Sequence, residues 1–105
     1  MVLAAGQFER VADALTDRAA EVFARVAVVD ARNVVVAGSR PEALGRPYAA
    51  GVAGEEWHVP LRLGAEAGEV IVAEPVNGEM ISPLLGRRLV ELMVNQCLML
   101  TRLPN

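Results

Sequence analysis

Two short β-branched runs, Val26-Ala27-Val28-Val29 and Val34-Val35-Val36-Ala37, are separated by Asp30-Ala31-Arg32-Asn33. Each run is too short for a helix and is rich in side chains stiff at χ1, which favours strands. Asn tolerates a left-handed backbone and Asp can bond its own turn, so Asp30 and Asn33 predict a hairpin. The continuous apolar character of the runs predicts that both faces of this hairpin are covered. The rest of the chain has to supply that cover.

Before the hairpin, from Gln7 to about Ala24, apolar residues Phe8, Val11, Ala12, Leu15, Ala19, Val22 and Phe23 recur at helical spacing. Glu9, Arg10, Asp13, Asp17 and Glu21 fall on the solvated side. After the hairpin, Pro41-Glu42-Ala43-Leu44 predicts one helical turn with Ser39 near its start. The run EWHVPLRL, from Glu56 to Leu63, alternates as a half-buried strand, and Pro60 places it at an edge or a bulge. A turn over Gly64 to Gly68 leads into EVIVAE, from Glu69 to Glu74, a second strand that Pro75 ends. Ser82 as N-cap and Pro83 at the first helical position open a closing helix that runs to about Arg102. The predicted class is α+β: an antiparallel sheet of four to five strands with N- and C-terminal helices packed on it. A single domain over residues 1–105 accommodates the whole order.

The closing helix is more apolar than one packing face requires. Arg87, Glu91, Asn95 and Arg102 make a narrow polar stripe, while leucines, valines and methionines cover most of the remainder. The chain as a whole is 53% hydrophobic, with a mean hydropathy of +0.33. A homodimer contact through the Leu84-Leu100 helix is the expected use of that surplus.

Net charge is −3 with arginines and acids interspersed, so no basic face advertises nucleic acid. The aromatics Phe8, Phe23, Tyr48 and Trp57 are too few for a base-stacking platform. The first residues lack the basic start of a signal peptide, and Arg87, Arg88 and Glu91 interrupt the most apolar stretch. With Cys97 as the lone cysteine, a reducing, cytoplasmic setting without membrane insertion is expected. No phosphate-binding glycine loop occurs, and one His with one Cys cannot by themselves ligate zinc. No cofactor, no metal and no catalytic activity is expected. Cys97 lies in the most apolar stretch and reads as a buried, inert thiol rather than a partner for His58.

What chemistry remains gathers in and just after the Gly- and Pro-punctuated segment that follows the hairpin. A long irregular segment inside a small domain often lines a binding site. Ser39, Arg40, Arg46, Tyr48 and His58, with Arg62 nearby, are the candidate ligand-binding residues. Guanidinium forks match carboxylates, so a small anionic or polyhydroxy ligand is expected.

Several stretches carry a resemblance in their order: Val28-Val29-Asp30, Val34 through Ser39, Pro41, Leu44-Gly45, Tyr48, Val59-Pro60-Leu61, Gly68 through Val72 and Leu89-Val90-Glu91. From about Val11 to Gln96 the chain resembles the sugar diacid recognition domain of bacterial carbohydrate diacid regulators. That resemblance implies a PAS- or Cache-like sensor domain acting in signalling and transcription regulation. The chain departs from it at Ala43, where the family's Arg would stand, at Tyr48, where its His would stand, and at Asn33, where its turn Gly would stand. The first two departures remove groups suited to a dicarboxylate. An alternative is an assembly module of the roadblock/dynein light chain type, which would place a full helix after the second strand. Pro41, Gly45, Pro47 and Gly51 oppose such a helix.

Overall fold

The apolar stripe of the first helix becomes one wall of the core. Helix α1 (Gln7–Ala19) buries Phe8, Val11, Ala12, Leu15, Thr16 and Ala19. Thr16 satisfies its hydroxyl by donating to Ala12 O at 2.8 Å, so its burial leaves no unpaired donor. The structure, a computed structural model, describes residues 7–49, 56–76 and 83–102.

The helix stops earlier than its periodicity predicts. Phe23 belongs instead to β1 (Phe23–Asp30), where it faces Pro75 of β4. No Gly or Pro marks this boundary. Val76 N–H bonds Val22 O at 2.7 Å, so backbone pairing beyond the strand fixes the exit from the helix.

The hairpin forms as the turn chemistry predicts. Asn33 adopts a left-handed backbone with φ of 64°. Asp30 Oδ1 accepts from Arg32 N–H at 2.9 Å and from Val34 N–H at 3.0 Å. β2 (Val35–Gly38) pairs antiparallel with β1, with a register shift between Val28 and Val29. A single 3-10 turn, Pro41–Ala43, follows. β3 (Glu56–Leu63) and β4 (Glu66–Pro75) complete an antiparallel sheet in the order β2-β1-β4-β3. β4 begins inside the stretch expected to be a turn, which shrinks to Gly64-Ala65, with Gly64 at φ 62°. Pro60 sits on β3, at the edge of the sheet, where its missing N–H breaks no interior ladder. The fold is α+β, with four strands among the described residues.

Helix α2 (Pro83–Arg102) closes the same face of the sheet as α1. The N-cap expected at Ser82 lies outside the described residues. Val90, Met93, Val94 and Cys97 join Phe8, Leu15, Phe23, Val28, Trp57, Leu61, Val70 and Val72 in the main core. Arg18 of α1 donates to Gln96 of α2 at 2.9 Å, tying the helices at their solvent edge. Two close approaches fix this packing. A Cβ at Gly68 would lie 1.9 Å from Val29 O and 2.9 Å from the Phe8 ring, while one at Gly86 would lie 3.0 Å from the Trp57 indole.

Candidate functional site

Strand alternation divides the sheet into unlike faces. Val26 and Val28 of β1, Val70 and Val72 of β4, and Trp57, Val59 and Leu61 of β3 turn toward the helices. The other face carries Val29, Val35 and Ile71, against which Ala43 and Tyr48 pack. Both faces of the hairpin are therefore covered, one by helices and the other by the irregular segment.

That segment is held by backbone bonds along β2. Val35 N–H bonds Arg46 O at 2.9 Å, Gly45 N–H bonds Val35 O at 2.8 Å, and Tyr48 N–H bonds Asn33 O at 2.8 Å. Gly45 takes φ of 79°, a conformation that a side chain would strain. The segment thus covers the outer edge of β2 at Val35, and Val34 bridges Pro47.

Between the segment and the sheet lies a cleft of about 470 Å³. Its floor is formed by Arg25, Val26 and Ala27 of β1 with Val35 and Gly38 of β2. Its wall is formed by Arg40, Glu42, Ala43, Arg46, Pro47, Tyr48 and Ala49. The size falls within the range of roughly 300–1,000 Å³ typical of small-ligand sites.

A charged network borders the cleft. Tyr48 Oη donates to Glu56 Oε2, and Arg25 Nη2 donates to the same oxygen at 3.3 Å. Arg25 Nε stands 3.7 Å from Glu74 and has no hydrogen-bond acceptor among the described residues. His58 places Nε2 3.2 Å from Glu56 Oε1 and Nδ1 3.3 Å from Glu69 Oε1. Partial burial pushes the Tyr48 phenol up to about 12, and its bond to Glu56 and that carboxylate's charge push in the same direction. Tyr48 is consequently a neutral donor across the physiological range.

The sequence candidates separate in space. Arg40, Arg46 and Tyr48 line the cleft. His58 is on β3, is not among the described cleft-lining residues, and meets Glu56, which it shares with Tyr48. Ser39 is turned back onto the sheet: Val26 N–H donates to its Oγ at 3.0 Å, and the hydroxyl donates to Val26 O at 3.3 Å. It does not cap the 3-10 turn, whose N-cap position is Arg40 without a side-chain bond. Arg62, also on β3, is not among the cleft-lining residues.

Two participants are not among the ligand-binding residues expected from the sequence. Arg25 looks like the polar start of an apolar strand, and Glu56 looks like a solvated residue before another. Only the antiparallel register, which places Arg25 opposite Ala73 and Glu56 opposite the same Ala73 from the other side, brings them together.

Cys97 is buried in the helix-side core, and burial raises its thiol pKa. His58 lies on the opposite face of the sheet, so these two residues form no catalytic pair. Among the described residues, no group of three or more His, Cys, Asp or Glu side chains is placed to hold a metal ion. No described helix is long and apolar enough to cross a membrane. Comparison with protein-family models, curated proteins and solved structures finds no match to this chain.

Proposed function

We propose that this chain is a small-molecule sensing or ligand-binding domain for organic-acid-like ligands, with no catalytic activity of its own. The observation that carries this reading is the cleft of about 470 Å³ lined by Arg25, Arg40, Arg46 and Tyr48. Helices that cover one face of the sheet leave the opposite cleft available to a ligand. This layout supports the PAS/Cache-like sensor domain implied by the resemblance to sugar diacid recognition domains, and with it a role in signalling and transcription regulation. Ala43 replaces that family's Arg in the cleft wall, so the ligand reading rests on the arginines this chain supplies. The single Cys97 favours a reducing, cytoplasmic setting.

A homodimer through α2 belongs to the same proposal. Leu85, Leu92 and Met99 are exposed by 57%, 54% and 64% and recur at seven-residue spacing, the repeat of a helix–helix seam. Leu84, 75% exposed, extends the patch at the start of the helix. Sedimentation equilibrium is expected to give a dimer that Leu92→Glu dissociates; a monomeric wild type removes this part of the proposal.

The alternative assembly module of roadblock/dynein light chain type requires several helical turns between β2 and β3. Among the described residues between them, 41–49 contain one 3-10 turn and no α-helical turn. The ligand-binding reading is therefore preferred. A thermal-shift screen of organic-acid anions tests it, because a ligand that binds only the folded state raises Tm with concentration. No stabilisation by any anion in such a screen would withdraw the proposal.

A further inference from the structure

We infer that the cleft accepts a single carboxylate carried on an apolar body, a monoanionic aliphatic or aromatic acid, rather than a polyhydroxylated diacid. This inference rests on the ligand-binding reading above and narrows its ligand class.

Charge sets the first limit. Arg25, Arg40 and Arg46 line the cleft, but so does Glu42, and Arg25 is paired with Glu56. The formal charge of Arg25, Arg40, Arg46, Glu42 and Glu56 together is +1. Glu74, 3.7 Å from Arg25 Nε, lowers that sum further, although its exposed carboxylate is screened by solvent. One ligand carboxylate balances the site, while a second would enter without a counter-ion.

Hydroxyl recognition sets the second limit, because the neutral polar groups around the cleft are already engaged. The Ser39 hydroxyl is bonded to Val26, the Asn33 amide donates to Tyr48 O at 3.3 Å, and Tyr48 Oη donates to Glu56. The remaining lining is apolar, from Ala27 and Val35 on the floor to Ala43, Pro47 and Ala49 on the wall. A sugar diacid would bring several hydroxyls against this lining, where only the arginines and Glu42 could meet them, and its two carboxylates compete for the same arginines. An alkyl or aryl body would instead remove apolar lining from water.

Four six-carbon probes separate these possibilities on the intact chain: hexanoate, hexanamide, adipate and glucarate. Titration calorimetry is expected to show hexanoate binding at least about tenfold tighter than adipate or glucarate, with no binding of hexanamide. Arg25→Gln and Arg46→Gln should each weaken hexanoate about tenfold or more, the loss expected when a charged donor is removed. Arg62→Gln, outside the cleft, should leave binding unchanged. Because Arg25→Gln also breaks the Glu56 pair, the Arg46→Gln variant, with its fold checked by circular dichroism, carries the test if the first fails to fold. Adipate or glucarate binding as tightly as hexanoate overturns the inference while leaving an anion-binding domain in place. Hexanoate binding that survives both substitutions is apolar adsorption and also overturns it. If none of the four probes binds, the inference falls alone when another organic acid stabilises the protein, and the broader reading falls with it when none does.

Discussion

The two faces of the sheet are built from the same strands yet do different work. β4 shows this most directly: Val70 and Val72 are sealed beneath the helices, whereas Glu69 on the other side meets the exposed His58. The helix face contains Phe8, Leu15, Phe23 and Leu61, each no more than 1% exposed, and its buried Thr16 hydroxyl is internally bonded. The opposite face has a small apolar cluster around Val29, Val35 and Ile71, surrounded by Arg25, Glu56, Tyr48 and His58. Stability should therefore concentrate on the helix face, and ligand chemistry on the other. Substitutions on the first should change unfolding free energy strongly, and substitutions on the second should change it little while altering titration and binding.

The largest expected effect is Phe23→Ala. Phe23 is fully buried, with its ring centroid 5.7 Å from that of Trp57, so truncation removes apolar burial, leaves a cavity and ends an aromatic contact. Urea unfolding should show a loss of about 3–5 kcal/mol. A loss below about 1 kcal/mol would mean that the helix face is not the main source of stability.

Gly86→Ala tests the same face by adding volume rather than removing it. The new methyl would sit 3.0 Å from Trp57 Cε2 and 3.1 Å from Nε1, and Trp57 is itself packed against Phe23. Overpacking costs about 1–3 kcal/mol, while replacing a helical glycine returns up to about 1 kcal/mol. A net loss of about 1 kcal/mol is expected, together with a change in the emission of the single tryptophan. Net stabilisation would show that the helix can move away from the sheet.

These two residues also show where sequence is informative. Local rules identify elements because periodicity and turn chemistry are local: β3 occupies Glu56–Leu63 as its alternation predicts, and Asn33 has the left-handed backbone expected of it. They fail where a tertiary partner decides. Phe23 continues the spacing of α1, but pairing with Pro75 draws it into β1. The same limit applies to the cleft. Arg40, Arg46 and Tyr48 share one Gly- and Pro-rich segment and are legible as a group. Arg25 and Glu56 are 31 residues apart and meet only through strand register. Ser39 looks available for a ligand until the proximity of β1 gives its hydroxyl a backbone partner.

Tyr48 tests the opposite face by titration. Tyr48→Phe removes the bond to Glu56 and should cost about 1 kcal/mol at neutral pH. A phenol whose folded pKa is raised contributes stability that is complete below its unfolded value, about 10, and is lost as pH rises toward the folded value. The wild type should thus lose this component between pH of about 10 and about 12, and Tyr48→Phe should lack it. Because Tyr48 is the only tyrosine, phenolate absorbance reports it directly. Glu56→Gln should lower the absorbance midpoint, and a wild-type midpoint already near 10 would show that the cleft does not enclose this side chain.

The smallest expected effect belongs to Asp30, at the hairpin turn that joins β1 to β2. Two backbone N–H bonds, together with nearby Arg32, hold its carboxyl below the usual aspartate range despite an opposing contribution from burial. A depressed folded pKa contributes stability that is complete above the unfolded value of about 3.9 and is lost as pH falls through the folded value. Both turn bonds end on Oδ1, and Asn can present an acceptor oxygen at that position. Asp30→Asn should therefore change neutral-pH stability by less than about 1 kcal/mol while flattening the decline in acid. Asp30→Ala, which removes the acceptor as well as the charge, should lose more at neutral pH than Asp30→Asn does. Equal losses in the two variants would assign the contribution of Asp30 to its charge beside Arg32 instead of to the hydrogen bonds that shape the turn.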